Sequence, residues 1–537
     1  MGSMVYYSHL FYSFYVNSRQ IRRHNSGKEN MYSIVKTAVI RGMDSLLVGV
    51  EADVSEGLPV FEMVGFLSSE VKEAKERVRT ALKNCGFRLP AKRITINLSP
   101  ANVKKSGSGF DLPIAIAILA ALGEIPANSL EETLILGEIG LRGNVTPIRG
   151  ILPIAAKALG EGIKRCVVPF ENLEEAKLIP GLKIWGVETI PETISCLKGG
   201  NYREKELFGP KREETERHRV DFSEINGQKS ARRACEVAVA GKHNFLMIGP
   251  PGSGKTMLAR RIPGILPHMT REEQLELSKI YSVSGLLQKK GGLMEERPFR
   301  SPHHTISPGG LCGGGGVPRP GEISLAHQGV LFLDELPEFK KTTLEILRQP
   351  LEDRQIRLVR QSGNYCYPAD FMLVAAMNPC KCGYYPDRNR CGCTGESIRR
   401  YLDRISKPLL DRIDICVETF PVPYEDLVGT GENESSAVIR ERVMEAHERQ
   451  KKRYEGTGIL CNSQIPARDI EKYCRLNRKQ QRFMKEIYQS FELSARGYHK
   501  ILKTARTIAD LEDCAEILQR HLNEAVCYRA LDKKYWE

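Results

Sequence analysis

The sequence predicts an α/β protein built around a phosphate-binding loop, with a second α/β unit before it and a helical unit after it. Three observations carry that prediction. The string Gly249-Pro250-Pro251-Gly252-Ser253-Gly254-Lys255-Thr256 follows an apolar run at 245–248 and precedes a helical pattern. A second apolar run, 329–333, ends in the acidic pair Asp334-Glu335. Strand and helix patterns alternate from Tyr32 to about Gly200, whereas from roughly residue 425 onward only helical spacing recurs.

At 537 residues the chain exceeds one ordinary core, so two or three domains are expected. A composition of 41% hydrophobic and 27% charged residues excludes a disordered chain. No run of eighteen apolar residues occurs, which argues against a membrane-spanning helix and a membrane partner. The net charge of +13 suits a polyanion such as nucleic acid, although many basic proteins bind none. The 15 cysteines lack the short spacing of a secreted disulfide scaffold, so a reducing, cytoplasmic setting is expected.

The first thirty residues place six aromatics, from Tyr6 to Tyr15, ahead of Arg19, Arg22 and Arg23. A signal peptide has the opposite order. Residues 1–30 are therefore read as an extension, disordered or a mis-assigned start, with Met31 as the beginning. In the unit 31–200, residues 45–52 and 60–64 flank a turn-rich segment and predict a hairpin. Val71, Ala74, Val78, Ala81, Leu82 and Cys85 recur at helical spacing, closed by Gly86. A strand at 94–98, a buried helix at 112–122 opened by Asp111, a strand at 134–139 and a helix at 151–159 follow. Residues 201–222 turn sharply to Arg, Lys and Glu and predict a solvated linker. The second α/β unit spans 223–420, and the helical remainder 421–537.

The glycines of 249–254 let backbone N–H groups approach phosphate oxygens, Lys255 reaches the β- and γ-phosphates, and Thr256 holds magnesium. Asp334 joins the magnesium shell, and Glu335 polarises the attacking water. A further strand at 371–377 ends at Asn378, placed to orient that water or sense the γ-phosphate. ATP and Mg²⁺ are thus the expected cofactors.

These positions resemble the Walker A (Lys255), Walker B (Asp334) and sensor-1 (Asn378) residues of AAA+ ATPases. The segment 408–414 is similar to the one carrying the arginine finger, which would make Arg412 a group acting on a neighbouring subunit's nucleotide. The segment 493–497 is similar to sensor 2, which would put Arg496 near the γ-phosphate. Longer strings narrow the resemblance: 297–305 (RPFRSPHHT), 320–327 (PGEISLAH), 378–383 (NPCKCG), 97–101 (NLSPA) and 108–113 (SGFDLP). Together they resemble the ComM/YifB family of magnesium-chelatase-like ATPases. The resemblance implies an AAA+ core with a C-terminal helical lid, preceded by a Lon-protease-like, ribosomal S5-like α+β domain. It also implies a homo-hexamer in which ATP hydrolysis drives helicase-type branch migration of DNA during recombination and natural transformation. The segments 137–143 and 167–172 are similar to strings that frame the catalytic lysine of Lon. At the dyad positions, however, this chain aligns Gly109 and Leu152. The domain is therefore read as non-proteolytic, with Lys104, Lys105 and Ser106 nearby.

Three further features bear on partners. His303 and His304 could contact DNA or form a structural pair. The segment 309–316, six of whose eight residues are glycine, can form a mobile loop. Arg354, Arg357 and Arg360 precede a turn at 361–364, predicting a hairpin whose arginines contact phosphates, or else a solvated charged strand. Cys380, Cys382, Cys391 and Cys393 either close a structural zinc site or remain reduced thiols in a loop. The functional alternatives to a DNA motor are an ATP-dependent protease, a magnesium-chelatase-type motor and a protein-remodelling chaperone.

Overall fold

A computed structural model describes residues 31–200, 220–287, 292–316, 318–360, 363–428 and 433–536. The extension 1–30, residues 201–219 of the charged linker, and Gln361 and Ser362 of the expected turn lie outside the described residues.

The amino-terminal unit is a seven-stranded mixed sheet. Its order is Phe61–Val64, Arg93–Ser99, Asp44–Ser55, Tyr32–Arg41, Thr133–Ile135, Arg165–Pro169 and Lys183–Val187. The hairpin forms one strand earlier than its predicted place. Tyr32–Arg41 pairs antiparallel with Asp44–Ser55 from Tyr32↔Asp53 to Arg41↔Asp44. Gly42, at φ 69°, and Met43 make the turn. A two-residue turn fixes register more tightly than the five-residue segment 55–59 can. Arg93–Ser99 then takes the free edge of Asp44–Ser55, and Phe61–Val64 runs parallel to it on the far side.

Helix Ser69–Asn84 buries Val71, Ala74, Val78, Ala81 and Leu82 along one stripe, as its periodicity requires. Helix Asp111–Ala121 is buried on nearly every side, so its sequence is apolar all round. Asp111 is 1% exposed and accepts from Arg77 Nε at 2.8 Å and Nη2 at 3.0 Å. The residue read as a helix opener is thus a buried ion-pair partner that ties the two helices together. The predicted strand 134–139 is broken into Thr133–Ile135 and Glu138–Ile139, which belong to different sheets.

The second unit is a five-stranded, all-parallel sheet ordered Phe299–Arg300, Val330–Leu333, Met372–Met377, Phe245–Ile248 and Ile415–Glu418. Its period-2 alternation fills two cores. Phe245, Met247, Val330, Phe332, Val374 and Ala376 face helix Lys229–Gly241 and the carboxy-terminal helices Ser436–Arg453 and Ala495–Leu511. Leu246, Ile248, Leu331, Leu333, Leu373 and Ala375 fill the opposite core. Because every strand runs the same way, the segments after residues 248, 333 and 377 emerge at one edge of the sheet.

The two units meet at helix Arg271–Ser284. Ser282 Oγ donates to Glu175 Oε1 at 2.5 Å, and Leu152 N donates to the same oxygen at 3.1 Å. Burial pushes the Glu175 carboxyl above the usual carboxylate range.

Candidate nucleotide site

The loop after Phe245–Ile248 is shaped by glycine. Gly252 and Gly254 adopt φ of 76° and 80°, where a side chain would be strained. At Gly249 a Cβ would lie 2.4 Å from the Thr419 carbonyl oxygen, so only glycine lets the loop approach that strand end. Ser253 Oγ and Thr419 Oγ1 lie 2.8 Å apart and fasten the loop from the other side.

Lys255 is 8% exposed, and its ammonium is folded inward. It donates to the carbonyls of Gly249 and Pro250, both at 2.8 Å, and to Asn378 Oδ1 at 3.2 Å. Burial pushes the Lys255 ammonium down to about 8, with the nearby Asp334 carboxylate opposing the shift. A buried cation whose partners are mainly neutral oxygens fits an anionic ligand. Thr256 Oγ1 donates to Asp334 Oδ2 at 2.6 Å, which puts a hydroxyl and a carboxylate side by side as oxygen donors for a hard divalent cation.

Glu335 follows Asp334 in a left-handed conformation, φ 51°. Its N–H donates to Asp334 Oδ1 at 2.9 Å. Holding a non-glycine residue in this region costs about 1 kcal/mol, which the surrounding structure supplies. The carboxylate stays largely exposed and faces His304 at 3.7 Å. Lys255, Thr256, Asp334, Glu335 and Asn378, drawn from three separate strand ends, thus gather at one edge of the sheet.

The two predicted arginines do not join them. Arg412 Nη2 lies 2.7 Å from Glu352 Oε1, and Arg496 Nη2 lies 3.3 Å from the same atom. Both line a cleft with Asn244, Asp370 and Asp414, the residues that precede strands Phe245–Ile248, Met372–Met377 and Ile415–Glu418. That is the opposite edge of the sheet from Lys255. Lys500, also in the cleft, lies 3.1 Å from Asp414 Oδ1. Buried opposite Lys500 and His243, Asp414 is held far below the usual carboxylate range despite a large desolvation cost.

The expected hairpin forms between Gln355–Arg360 and Gly363–Pro368. Only two of its three arginines lie on it. Arg357 and Arg360 are exposed and, three apart on a strand, point to opposite faces. Arg354 caps helix Arg348–Asp353 at φ 54° and turns toward Asp370, 3.7 Å away. The histidine rings lie 4.0 Å apart between centroids, tilted by 35°, with His303 Nδ1 2.9 Å from Thr305 Oγ1.

Sequence reasoning missed the His304–Glu335 proximity, the Ser253–Thr419 contact and Glu352 as the acid shared by two arginines. No spacing rule links these residues, since each contact joins segments brought together only by the parallel sheet. The position aligned with Lon's lysine, Leu152, is wholly buried in an apolar core. Lys105 is fully buried too, and its ammonium donates to the Pro100 carbonyl. Among the described residues no helix is long and apolar enough to cross a membrane.

Comparison with known proteins agrees with this geometry. Residues 221–427 match the model of magnesium chelatase subunit ChlI, 50–172 match a second ChlI model, and 433–529 match the ChlI C-terminal model. The chain is 42% identical over 505 residues to the uncharacterized protein YifB of Salmonella typhimurium, covering 93% of this chain and 97% of that protein. It is 41% identical over 506 residues to the competence protein ComM of Haemophilus influenzae, with the same coverages. A shorter match, 31% identical over 180 residues, links 29% of this chain to 32% of Lon protease 2 of Bacillus subtilis. An identity above 40% across nearly the whole of both chains, together with a phosphate loop and acidic strand end in one site, places this chain in the ComM/YifB family of magnesium-chelatase-like AAA+ proteins.

Proposed function

We propose that this protein is an ATP-driven DNA motor that works as a homo-hexameric ring and promotes branch migration during homologous recombination. One observation carries the reading. Lys255, Thr256, Asp334, Glu335 and Asn378 share one edge of the parallel sheet, while Arg412 and Arg496 share the other. A single chain therefore holds two halves of a phosphoryl-transfer site facing away from each other, and stacking copies head to tail would complete each site.

In that assembly Lys255 leaves the loop carbonyls for the β- and γ-phosphates. Thr256 and Asp334 hold the magnesium ion, which neutralises charge on the phosphates when bound. Glu335 accepts a proton from the attacking water, and Asn378 orients that water. Arg412 and Arg496 of one subunit reach the nucleotide of the next. The hairpin bearing Arg357 and Arg360 contacts DNA phosphates without regard to sequence. Residues 31–200 form a Lon-like, non-proteolytic scaffold, 223–420 the ATPase core and 421–537 a helical lid, all in the cytoplasm. The burial of Leu152 where a catalytic lysine would stand disfavours a protease. We also read the four-cysteine loop as the holder of a structural zinc ion with no part in phosphoryl transfer.

The test is ATP hydrolysis with and without single-stranded and branched DNA at several salt concentrations. Strong stimulation that fades with salt is expected. An active ATPase indifferent to DNA would overturn the motor reading in favour of a chaperone or a chelatase-type motor.

A further inference from the structure

Directly after Asn378 the chain enters a loop whose sequence is Cys380-Lys381-Cys382-Gly383, then 384–390, then Cys391-Gly392-Cys393. The loop folds back so that all four sulfur atoms lie within 4.8 Å of one another. Cys380 and Cys382 are 3.3 Å apart, Cys382 and Cys391 3.5 Å, and Cys380 and Cys391 3.8 Å. A disulfide needs roughly 2.05 Å, so these are not bonded pairs. Four thiolates at roughly 2.3 Å from one tetrahedral ion would stand about 3.8 Å apart, close to the separations seen.

The backbone is built for this convergence. Gly383 N donates to the Cys380 carbonyl at 3.0 Å, which turns the first pair back on itself, with Gly383 at φ 87°. Cys391 N donates to the Asp387 carbonyl at 2.8 Å and brings the second pair round. Charge agrees as well. Four thiolates around a divalent ion leave two negative charges, and 380–393 carries Lys381, Arg388 and Arg390 against Asp387 alone. Arg390 and Arg388 are held over the rings of Tyr384 and Tyr385 at 4.2 and 5.1 Å, and Arg388 Nη1 donates to the Cys393 carbonyl at 3.1 Å.

The loop also touches both neighbours of the nucleotide site. A Cβ at Gly383 would lie 2.3 Å from Cδ of Pro251, so the turn is pressed against the phosphate loop itself. On its other side Tyr385 meets Tyr535 of the last helix, Ala530–Trp536, edge to face at 6.2 Å, and Tyr535 Oη donates to Glu418 Oε1 at 2.5 Å.

We propose that Cys380, Cys382, Cys391 and Cys393 bind one zinc ion, and that the closed loop braces Asn378 and the phosphate loop against the carboxy-terminal helix. Zinc is the ion that four convergent thiolates in a small, closed, redox-neutral site select. Ion binding draws four protons off the thiols and replaces them with four Zn–S bonds, so no oxidant or reductant is needed. The residues act by position: none of the four sulfurs lies among the groups assigned to phosphoryl transfer. The zinc half of the inference stands on the sulfur geometry alone, whereas the bracing half rests on the nucleotide-site reading.

The experiment uses the full chain, expressed with zinc supplied and purified without chelator. Elemental analysis should find one zinc per chain, and a mercurial titration should release it as four thiols react. In the Cys382→Ser/Cys393→Ser variant zinc should fall below about a fifth of an equivalent. The KM for ATP should then rise about tenfold while the Glu335→Gln variant keeps its full zinc. Cys393→His, which retains a ligand, should restore both zinc and KM. Wild-type protein with no zinc, with iron in its place, or with zinc released without the four thiols would overturn the site. A zinc-free, folded variant with unchanged KM would overturn the bracing role. If the double variant fails to fold, the wild-type titration decides the metal, and the KM for ATP of wild-type protein before and after zinc is stripped by a chelator decides the bracing. A wild-type protein that carries zinc but hydrolyses no ATP would remove the motor reading and leave the zinc site standing.

Discussion

His304 Nδ1 lies 3.7 Å from Glu335 Oε2, and the ring of His303 leans against His304 at 4.0 Å between centroids, tilted by 35°. The pair belongs to the stretch joining Phe299–Arg300, the edge strand, to the short helix Pro308–Cys312, which opens the glycine-rich segment. A change in that stretch is therefore felt at the carboxylate assigned to water activation. His304→Ala is expected to lower kcat roughly tenfold with little change in ATP affinity, because it frees Glu335 to leave its working orientation. Glu335→Gln should lower kcat by roughly a hundredfold or more and leave ATP binding intact. Single-turnover hydrolysis with separately measured binding distinguishes the two; full turnover in Glu335→Gln would remove its assigned role.

Lys255 gives a pH dependence with a definite sign. In the free protein burial holds its ammonium near 8, while nucleotide phosphates would favour the charged form and raise it. Below about 8 the cation is already present and binding needs no proton. As pH rises through that value the free protein loses the charge, so binding must take up a proton and weakens. ATP affinity should fall about tenfold per pH unit well above 8, with proton uptake visible by calorimetry in buffers of different ionisation enthalpy. Lys255→Arg, which stays charged, should flatten the profile even if binding is weaker throughout.

The nucleotide site was largely legible in the chain because its parts are local strings. A glycine loop between strand and helix, or a strand ending in two acids, carries its own geometry. The central strands 245–248, 330–333 and 372–377 were legible for a related reason: buried parallel strands read as unbroken apolar runs. What escaped depends on non-local pairing. Nothing in the spacing of 45–64 shows that Arg93–Ser99 separates those two segments, and nothing near Asp111 shows that Arg77 will neutralise it. The placement of the hairpin arginines was not legible either: three-residue spacing puts Arg357 and Arg360 on opposite faces of the strand, and Arg354 falls before the strand begins. The motif around Arg496 did not reveal which edge of the sheet it would occupy: it lines the cleft beside Asp414, at the edge opposite Lys255.

Arg77 and Asp111 offer a stability test in the amino-terminal unit. Burial alone would push the Asp111 carboxyl up, and Arg77 offsets part of that cost through two hydrogen bonds. Removing the arginine leaves a buried acid without its partner, an uncompensated loss of about 3 kcal/mol. Arg77→Met should thus lower the denaturation midpoint of the full chain clearly, whereas Arg77→Met/Asp111→Leu should recover much of the loss. Equal midpoints for wild type and the single variant would show that the pair contributes nothing.

The division of the site between two sheet edges predicts complementation between subunits. Arg412→Ala and Lys255→Ala chains should each be inactive alone, the first lacking the donated arginine and the second its own phosphate contact. A mixed ring places some wild-type Lys255 sites beside wild-type Arg412 donors, so mixing should restore hydrolysis to roughly a quarter of the wild-type rate for independent sites. Arg496→Ala should behave as Arg412→Ala does. If Arg412→Ala chains alone retain wild-type hydrolysis, the arginine does not complete a neighbour's site.

DNA contact by the hairpin can be read from salt dependence. Arg357 and Arg360 are exposed on its two faces, Val359 between them is 75% exposed, and Ile356 and Tyr367 anchor the base. An apolar side chain left in solvent between two cations marks a face of the hairpin turned from the core, while Gly363 beside the turn lies against Arg41 of the amino-terminal unit. Each phosphate contact removed should reduce the slope of log affinity against log salt by roughly 0.7 on single strands and 0.9 on duplex. Arg357→Ala/Arg360→Ala should therefore flatten the slope by roughly 1.4 to 1.8, equally for unrelated sequences, and abolish stimulation of hydrolysis by DNA. The basal ATPase should be unchanged, since neither arginine approaches Lys255 or Glu335. The Arg354→Ala variant separates the hairpin from general basicity: its guanidinium turns toward Asp370, so its slope should match the wild type. A slope flattened by roughly 0.7 to 0.9 in Arg354→Ala, with the double variant unchanged from wild type, would mean that the DNA path runs past the helix cap instead of the hairpin.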